Sequence, residues 1–371
     1  MRALWTSDQH TLHQTTPTEH ILANMSTFYW RDHDLAKVDL AMFGGDLTER
    51  LVEAPNPDFL KVKQWGRDFL NRAHKANTAV LLLEGTHSHD WGQPKHWETV
   101  APEGMDFRYV DTLSIQFYPQ FNNLSILCVP DNMGTMTPDE IWERALEVLA
   151  EHKLEQVDII AFHGAFDFQL VPQARHKAHK PERWESIVKY YILAGHIHVP
   201  VEKGKIRCSG SFDRTGHGQE HPKGGYVVEI DLANGQASAT FWENRKALPY
   251  VTMRVKDDVT PEKLVQDLHQ FIKEKKLPYF SQIRVMDGPA MIVNPIVSVF
   301  EREYPHYGFK AENSKNADML LELEQFVPDK YEGVLLNSDN LTESLIKEVV
   351  DELADAFIGV DEAAALLKEF L

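Results

Sequence analysis

The chain is poor in cysteine, has no long apolar run and carries fewer basic than acidic residues. Its 371 residues include two cysteines, too few for the disulfide framework that small secreted domains use. No stretch reaches the roughly 18 consecutive apolar residues of a membrane-spanning helix. The first residues enter a strand-like segment and not the apolar region of a signal peptide. We therefore expect a cytoplasmic protein, from a bacterial or virus-infected cell, with no membrane partner.

The shortage of basic residues argues against an extended nucleic-acid-binding surface. Lysine and arginine number 38 against 56 aspartates and glutamates, which gives a net charge of −18. The segment 331–371 holds ten acidic and two basic residues and so contributes −8 of this charge. Because the remainder is still acidic, a surface that binds DNA would have to be a local basic patch.

Short apolar runs that end in glycine, aspartate or histidine recur along the first half of the chain. They alternate with segments of helical spacing, such as residues 59–76. Near-continuous apolar strands separated by helices predict an α/β structure whose sheet is covered on both faces. These strands are predicted at residues 2–6, 38–43, 79–83, 157–162 and 190–194.

Residues that commonly bind metals collect at the ends of these predicted strands. They are Asp8 and His10, Asp46, His89 and Asp90, His163, and His196 with His198. Loops at strand ends are where α/β proteins place their ligands, and carboxylate with imidazole suits Mn, Fe or Zn. Two metals about 3.5–4 Å apart, sharing a carboxylate, can stabilise both the attacking and the leaving oxygen of a phosphoryl transfer. The pattern therefore indicates a two-metal phosphoesterase.

The order of these motifs resembles that of the calcineurin-like metallophosphoesterases, and most closely their SbcD-type DNA repair nucleases. The motifs are Asp-x-His, Gly-Asp, a segment like Gly-x-His-Asp, a lone His, and Gly-His-x-His. The Ser-Gly-Ser at 209–211 and Glu-His-Pro-Lys-Gly-Gly at 220–225 resemble the segments after the last motif in that branch. The resemblance implies a two-sheet sandwich flanked by helices, then a small α+β capping domain and a helical tail. The implied boundaries are 1–248 for the nuclease domain, 249–308 for the cap, 309–338 for a linker and 339–371 for the tail.

The resemblance also implies a role for each ligand. Asp8, His10 and His198 would hold one metal, His163 and His196 the second, and Asp46 would bridge the two. Manganese is the implied metal, with Mg, Fe or Zn as alternatives.

The third motif departs from the family's Gly-Asn-His-Asp, because this chain reads Gly85-Thr86-His87-Ser88-His89-Asp90. If His89 and Asp90 match the family's His-Asp, two residues are inserted after Gly85 and no asparagine is present. Thr86, His87 and Ser88 then compete for the asparagine's place as a ligand. His89 would stabilise the transition state or protonate the leaving group, and Asp90 would orient it.

The implied activity is manganese-dependent exonuclease and endonuclease cleavage of DNA, in a complex with an SMC-like coiled-coil ATPase of the SbcC type. A homodimer within that complex is expected. Candidate DNA contacts are Arg175, Lys177, Lys180, Lys273, Lys275 and Lys276, with solvated loops and helix ends as the alternative. A tail stripe for the ATPase is predicted at Leu341, Leu345, Val349, Leu353 and Phe357.

Two other functions remain open from the sequence. One is hydrolysis of a small substrate, as by a cyclic-nucleotide phosphodiesterase or a phosphatase. The other is a non-catalytic subunit whose metal site has decayed, an interpretation that the altered third motif allows.

Overall fold

The structure is a computed structural model that describes residues 1–312, apart from residues 54, 132–135, 172–173 and 176–177. Residues Met1–Ala317 group into one compact unit. The predicted tail stripe, most of the predicted linker and Lys177 lie outside the described residues. Within the described part, no helix combines the length and the apolar character needed to cross a membrane.

Strands and helices alternate through the first two thirds of the described chain. The strands are, in chain order, β1 (Arg2–Thr6), β2 (Leu40–Gly44), β3 (Ala79–Leu83), β4 (Phe107–Val110), β5 (Ser114–Tyr118), β6 (Leu124–Val129), β7 (Val157–His163), β8 (Val188–Gly195), β9 (Val201–Lys203), β10 (Ile206–Cys208), β11 (Gly224–Asp231), β12 (Gln236–Glu243), β13 (Tyr250–Val255), β14 (Gln282–Asp287) and β15 (Gly308–Glu312). The α-helices are α1 (Thr18–Thr27), α2 (Pro57–Lys75), α3 (Pro138–Glu151), α4 (Pro181–Ser186), α5 (Pro261–Lys275) and α6 (Ala290–Glu303). The strands predicted to lead into the motifs are confirmed, with ends shifted by a residue or two.

Two six-stranded sheets make up the part of the chain that carries the motifs. Their strand orders are β12-β11-β1-β2-β3-β4 and β5-β6-β7-β8-β10-β9. Strands β1 to β4 run parallel in the first sheet, as do β6, β7, β8 and β10 in the second. The carboxyl ends of the parallel strands therefore meet at one edge of each sheet.

The two sheets pack face to face through one apolar cluster and are covered by helices on their outer faces. The shared cluster includes Trp5 and Leu81 from the first sheet and Ile126, Ile159 and Leu193 from the second. A second cluster packs α1 and α2 on the first sheet, and a third packs α3 and α4 on the second. The predicted two-sheet sandwich flanked by helices is confirmed.

Local sequence explains where the covering helices begin. Asn56 caps α2, since its side-chain oxygen accepts hydrogen bonds from the backbone of Asp58 at 2.9 Å and of Phe59 at 3.1 Å. Thr137 and Glu140 form a capping box at the start of α3. Each buried aromatic that these helices place on a sheet contributes roughly 2–3 kcal/mol to the free energy of unfolding.

A third sheet, of β13, β14 and β15, follows the sandwich. All three strands are parallel, and α5 and α6 pack on them through an apolar cluster that includes Leu264, Val293 and Phe300. The helix α6 forms although its interior Pro295 argues against a helix. Pro295 lies on the exposed side of α6, where the lost hydrogen bond costs least. The prediction of a linker from residue 309 was wrong at its start, because residues 308–312 form β15.

Candidate metal centre

The predicted ligands come together where parallel strands of both sheets end. Asp8 and His10 follow β1, Asp46 follows β2, His163 ends β7, and His196 and His198 follow β8. The first sheet thus supplies Asp8, His10 and Asp46, and the second supplies the three remaining histidines.

One group of ligands consists of Asp8, His10 and His198, whose ligand atoms all lie within 4.8 Å of one another. The Nε2 atoms of His10 and His198 are 2.9 Å apart. Asp8 Oδ1 lies 3.7 Å from His198 Nε2 and 3.9 Å from His10 Nε2. Asp8 and His10 are buried. Two facing imidazole nitrogens beside a buried carboxylate are a donor set that could hold a divalent cation.

A second group consists of Asp46, His163 and His196, again with ligand atoms within 4.8 Å of one another. His163 Nε2 is 3.2 Å from Asp46 Oδ2. The structure thus assembles the six residues in the two sets that the resemblance implies. The role of Asp46 as a bridge stays a prediction.

The charges and burial of the second group set the protonation of its ligands, and a cation that binds there would displace one proton from His163. Burial lowers the pKa of His163, but the Asp46 carboxylate outweighs burial and raises that pKa to about 10. Burial likewise raises the pKa of Asp46, and the charge and hydrogen bond of His163 then bring it well below its usual range. Burial lowers the pKa of His196 and of His198, which favours the neutral imidazole that a metal requires.

Several ligands adopt strained backbone conformations. The left-handed φ angles are 54° at Asp8, 47° at His10, 51° at Asp46 and 85° at His196. Such conformations cost about 1 kcal/mol or more each for residues other than glycine, and they concentrate at functional sites. Four of the six ligands therefore have a strained backbone that sets the direction of the side chain. The rest of the fold must stabilise this strained conformation.

Gly195 allows the close approach of β8 to the first sheet. A Cβ atom at this position would overlap the Ser7 hydroxyl oxygen and lie 2.7 Å from the Gly44 carbonyl oxygen. The absence of a side chain therefore places His196 beside Asp8, whose two oxygens accept a hydrogen bond from the His196 N–H at 3.0 and 3.1 Å.

We predict that Gly195→Ala lowers the free energy of unfolding by about 1–3 kcal/mol, because the added methyl overpacks the strand end. The variant should also bind manganese more weakly, since His196 and His198 follow directly. Urea unfolding and calorimetric titration measure the two effects. Gly216→Ala is the matched control, because a Cβ there meets nothing within 4 Å. Equal behaviour of the two variants would contradict the prediction.

Thr86 lies with its hydroxyl against the second group. Its hydroxyl oxygen lies 3.3 Å from Asp46 Oδ2, 3.4 Å from His163 Nε2 and 3.3 Å from His196 Nδ1. Its backbone N–H donates to Asp46 Oδ1 at 2.6 Å. His87 and Ser88 are exposed. Of the three candidates for the asparagine's place, Thr86 is the one that lies against the second group, and its role as a ligand stays a prediction.

The close packing of two strand ends explains this position. A Cβ atom on Gly85 would overlap the backbone nitrogen and carboxylate of Asp46. The backbone therefore packs directly against Asp46 at Gly85. The next residue, Thr86, is the one whose side chain contacts the second group.

We predict that Thr86→Val weakens manganese binding at the second group by about tenfold, the scale of one hydrogen-bonding group lost from a buried site. Valine keeps the shape of threonine and removes only the hydroxyl. Calorimetric titration checks the result, with Thr86→Ser expected to stay near wild type. Thr99→Val, at an exposed threonine, is the matched control. Unchanged binding in Thr86→Val would remove Thr86 from the ligand set.

Asp90 does not orient His89, contrary to the prediction. His89 Nδ1 lies 2.6 Å from the main-chain carbonyl oxygen of Glu49. The Asp90 carboxylate instead accepts from the backbone N–H groups of Thr48 at 2.9 Å and Gly85 at 3.0 Å. Burial, with the charges of Asp46 and Glu84, raises the pKa of Asp90 to about 7. Asp90 therefore joins the second and third motif loops, and the Glu49 backbone holds the His89 ring.

Glu49 is a site residue that the sequence analysis missed. Its Oε2 lies 2.7 Å from Nδ1 of His10, and its carbonyl holds His89. A proton on Nδ1 of His10 would be shared with this carboxylate, which leaves Nε2 as the metal-binding atom. The only sequence indication is that Glu49 lies three residues after Asp46, in the same strand-end loop.

Two further groups beside the histidines were also missed. Asp131 Oδ2 is 3.9 Å from His196 Nδ1, and Gln219 Nε2 is 3.1 Å from His198 Nδ1. Neither residue belongs to one of the motifs, so only the folded arrangement identifies them.

We predict that Glu49→Ala lowers manganese affinity at the first group by about tenfold, the usual effect of losing a residue that orients a ligand. Glu49→Gln, which keeps an acceptor for His10 Nδ1–H, should recover part of the loss. Calorimetric titration gives the affinities. Glu53→Gln, an exposed change in the same loop, should leave them unaltered. If Glu49→Ala binds as wild type does, Glu49 has no part in holding His10.

The predicted DNA contacts stay predictions. Lys180 precedes α4, Lys273 and Lys275 lie in the last turn of α5, and Lys276 follows it. Arg175 Nε donates to the Leu170 carbonyl at 3.4 Å. Among the described contacts, none connects these residues to the two ligand groups.

The fold and the site together define an α/β two-sheet sandwich with clusters that could hold metal ions at its edge. No protein-family model matches the chain, and no curated protein does. Two crystal structures are among the solved structures that are similar to it. The crystal structure of TT1561 of Thermus thermophilus is 14% identical, with a TM-score of 0.39, over 65% of this chain and 98% of that one. A second crystal structure is 8% identical, with a TM-score of 0.35, over the same shares.

Proposed function

We propose that the protein is a two-metal phosphodiesterase of the calcineurin-like type that cleaves DNA, as an SbcD-type nuclease working with an SMC-like ATPase. One observation carries the proposal. Two ligand groups, Asp8/His10/His198 and Asp46/His163/His196, form separately at one sandwich edge, with the Thr86 hydroxyl against the second. The six aspartate and histidine ligands that the resemblance implies all lie in these two groups, and only the asparagine of the third motif has no counterpart.

The donor set fits a pair of divalent cations, with manganese proposed and Mg, Fe or Zn as alternatives. When bound, such cations stabilise charge on a phosphate and lower the pKa of an attacking water. The chain's own residues then position the substrate. The Glu49 carboxylate keeps His10 in one tautomer, and the Gly44 carbonyl, 2.6 Å from His163 Nδ1, does the same for His163.

His89 is the residue proposed to act on the leaving group. Its Nδ1–H donates to the Glu49 carbonyl, so its Nε2 is the atom free to face a substrate. Its ring centre lies 5.2 Å from that of His10, beside the first ligand group. In the imidazolium form, Nε2–H would donate a proton to the departing oxygen as the phosphorus–oxygen bond breaks.

DNA as substrate is proposed from the resemblance and from the third sheet. That sheet, with α5 and α6, follows the sandwich in the chain, as the capping domain does in the nuclease branch that the sequence resembles, and hydrolysis of a small phosphodiester does not require such a unit. The basic residues at the end of α5 belong to the same unit. The ATPase partner and the homodimer are proposed on the resemblance alone.

Hydrolysis of linear duplex DNA with added manganese tests the proposal, with and without an SbcC-type ATPase. His163→Ala should abolish cleavage, whereas His74→Ala, at an exposed histidine of α2, should not. A cyclic nucleotide and bis-p-nitrophenyl phosphate serve as small substrates. Cleavage of the small substrates alone would replace the nuclease by a small-substrate phosphoesterase. No cleavage of any substrate, with manganese and ATPase present, would favour a non-catalytic subunit.

A further inference from the structure

The third motif loop carries an exposed aromatic pair that the proposed catalysis does not use. The rings of His87 and Trp91 are stacked, with centroids 4.0 Å apart and planes at 28°. Trp91 is 57% exposed, and His87 is exposed as well. Trp5, Trp97 and Trp184, in contrast, are fully buried. The Trp91 ring therefore offers an open aromatic face on which a flat ligand could stack.

The loop that holds the pair is anchored on both sides. Asp90, directly before Trp91, accepts hydrogen bonds from Thr48 and Gly85. The backbone N–H of Gly92, directly after it, donates to Glu84 Oε1 at 2.5 Å. Trp91 itself has a left-handed φ of 37°. The ring is therefore held outward by fixed backbone, so that little conformational entropy is lost when a ligand stacks on it.

The pair also lies next to the candidate metal centre. His87 directly follows Thr86, whose hydroxyl is 3.3 Å from His196 Nδ1 and 3.4 Å from His163 Nε2. Consecutive Cα atoms are about 3.8 Å apart. A substrate with its phosphate at the ligand groups would thus have its neighbouring chemical groups within reach of the pair.

We propose that His87 and Trp91 bind an unpaired nucleobase by stacking, beside the phosphate that is cleaved. This inference rests on the proposed function, since it takes the substrate to be a nucleic acid. An open aromatic face binds any base, because every base has a π face, and stacking of this kind is independent of sequence. A base inside a duplex has both faces covered by its neighbours. The pair therefore selects substrates whose bases next to the cleaved bond are unpaired, such as single strands and frayed ends.

Binding and cleavage of short oligonucleotides test the inference separately from the function. The probe is a fluorescently labelled single-stranded oligodeoxynucleotide, whose affinity is measured by anisotropy with manganese present. Trp91→Ala should bind it about tenfold more weakly, and Trp91→Phe should recover most of the affinity. Leu60→Ala, at a side chain that is 54% exposed on α2, should bind as wild type does. Circular dichroism shows whether each variant is folded.

An oligonucleotide with abasic sites around the cleaved bond separates stacking from other effects. Trp91→Ala should lose affinity for the intact strand and not for the abasic strand, because only a base can stack. Equal losses on both strands would overturn the stacking assignment and favour a contact to the backbone. Equal binding by wild type and Trp91→Ala, or no binding by either, would overturn it as well. Cleavage of the same strands by wild type reports on the proposed function independently of these affinities.

Discussion

Asp46→Asn is expected to lower manganese-dependent hydrolysis by at least about 10³-fold, because a shared carboxylate holds both cations in the proposed centre. Asparagine has the shape of aspartate but no charge. The residue is buried and touches both His163 Nε2, at 3.2 Å, and the backbone N–H of Thr86, at 2.6 Å. The initial rate of DNA cleavage at saturating manganese measures the effect.

In Asp46→Asn, an effect on the stability of the fold must be distinguished from an effect on the cleavage rate. In the absence of metal, Asp46→Asn also removes the partner of a protonated His163, so unfolding should be measured beside the rate. Asp68→Asn, an exposed aspartate on α2, should change neither quantity. A folded Asp46→Asn protein that cleaves within about tenfold of wild type would show that this carboxylate does not hold the catalytic cations.

Manganese affinity is expected to rise about 100-fold between about pH 6.5 and about pH 8.5, that is, about tenfold for each pH unit. The cause is His163, whose pKa is raised to about 10 although burial lowers it, because Asp46 lies beside it. A metal binds the neutral imidazole, so binding at any pH below about 10 releases a proton. His10, whose pKa is also raised by its hydrogen bond to Glu49 despite burial, would add a second proton at the first group.

In the metal-free protein, the effect of pH on the stability of the fold has the opposite sign to its effect on metal affinity. A pKa raised from 6.5 to about 10 on folding means that the protonated His163 stabilises the folded state fully below pH 6.5. This stabilisation is lost as the pH rises through about 10. Higher pH therefore weakens the metal-free fold at His163 while it strengthens metal binding there.

Calorimetric titrations in buffers of different ionisation enthalpy count the protons released. His163→Gln should lower the number by one and flatten the dependence of affinity on pH. An affinity that does not change with pH in the wild type would mean that His163 is already neutral without metal, and the ion pair with Asp46 would not exist in solution.

The ligand set could be predicted from the sequence because it depends on topology. Asp8, Asp46 and His163 each end an apolar run, and the ends of parallel strands meet at one edge. The sorting of His196 and His198 into different groups came from the resemblance, since alternation along a strand alone places both side chains on one side. The structure has them in separate groups because the chain leaves β8 at Gly195 and His196 adopts a left-handed φ.

Other parts of the site depend on distances that no pattern contains. The sequence does not say which of Thr86, His87 and Ser88 lies beside the second group, because that depends on the packing of Gly85 against Asp46. Glu49 and Asp131 lie in loops, and their side chains extend from there to His10 and His196. Asp90 is adjacent to His89 in sequence, yet its carboxylate turns toward Thr48 and Gly85. The helix α6 forms although Pro295 lies in its interior, where proline ordinarily argues against a helix.

Each ligand group draws on both sheets of the sandwich. The first combines Asp8 and His10 of one sheet with His198 of the other, and the second combines Asp46 with His163 and His196. Cations bound there would act as two cross-links at the edge where the sheets meet. At a concentration about 100 times the dissociation constant, each would add about 2.7 kcal/mol to the free energy of unfolding. The supply of metal would then control how firmly the two halves of the sandwich are held together, as well as the rate of the reaction at their edge.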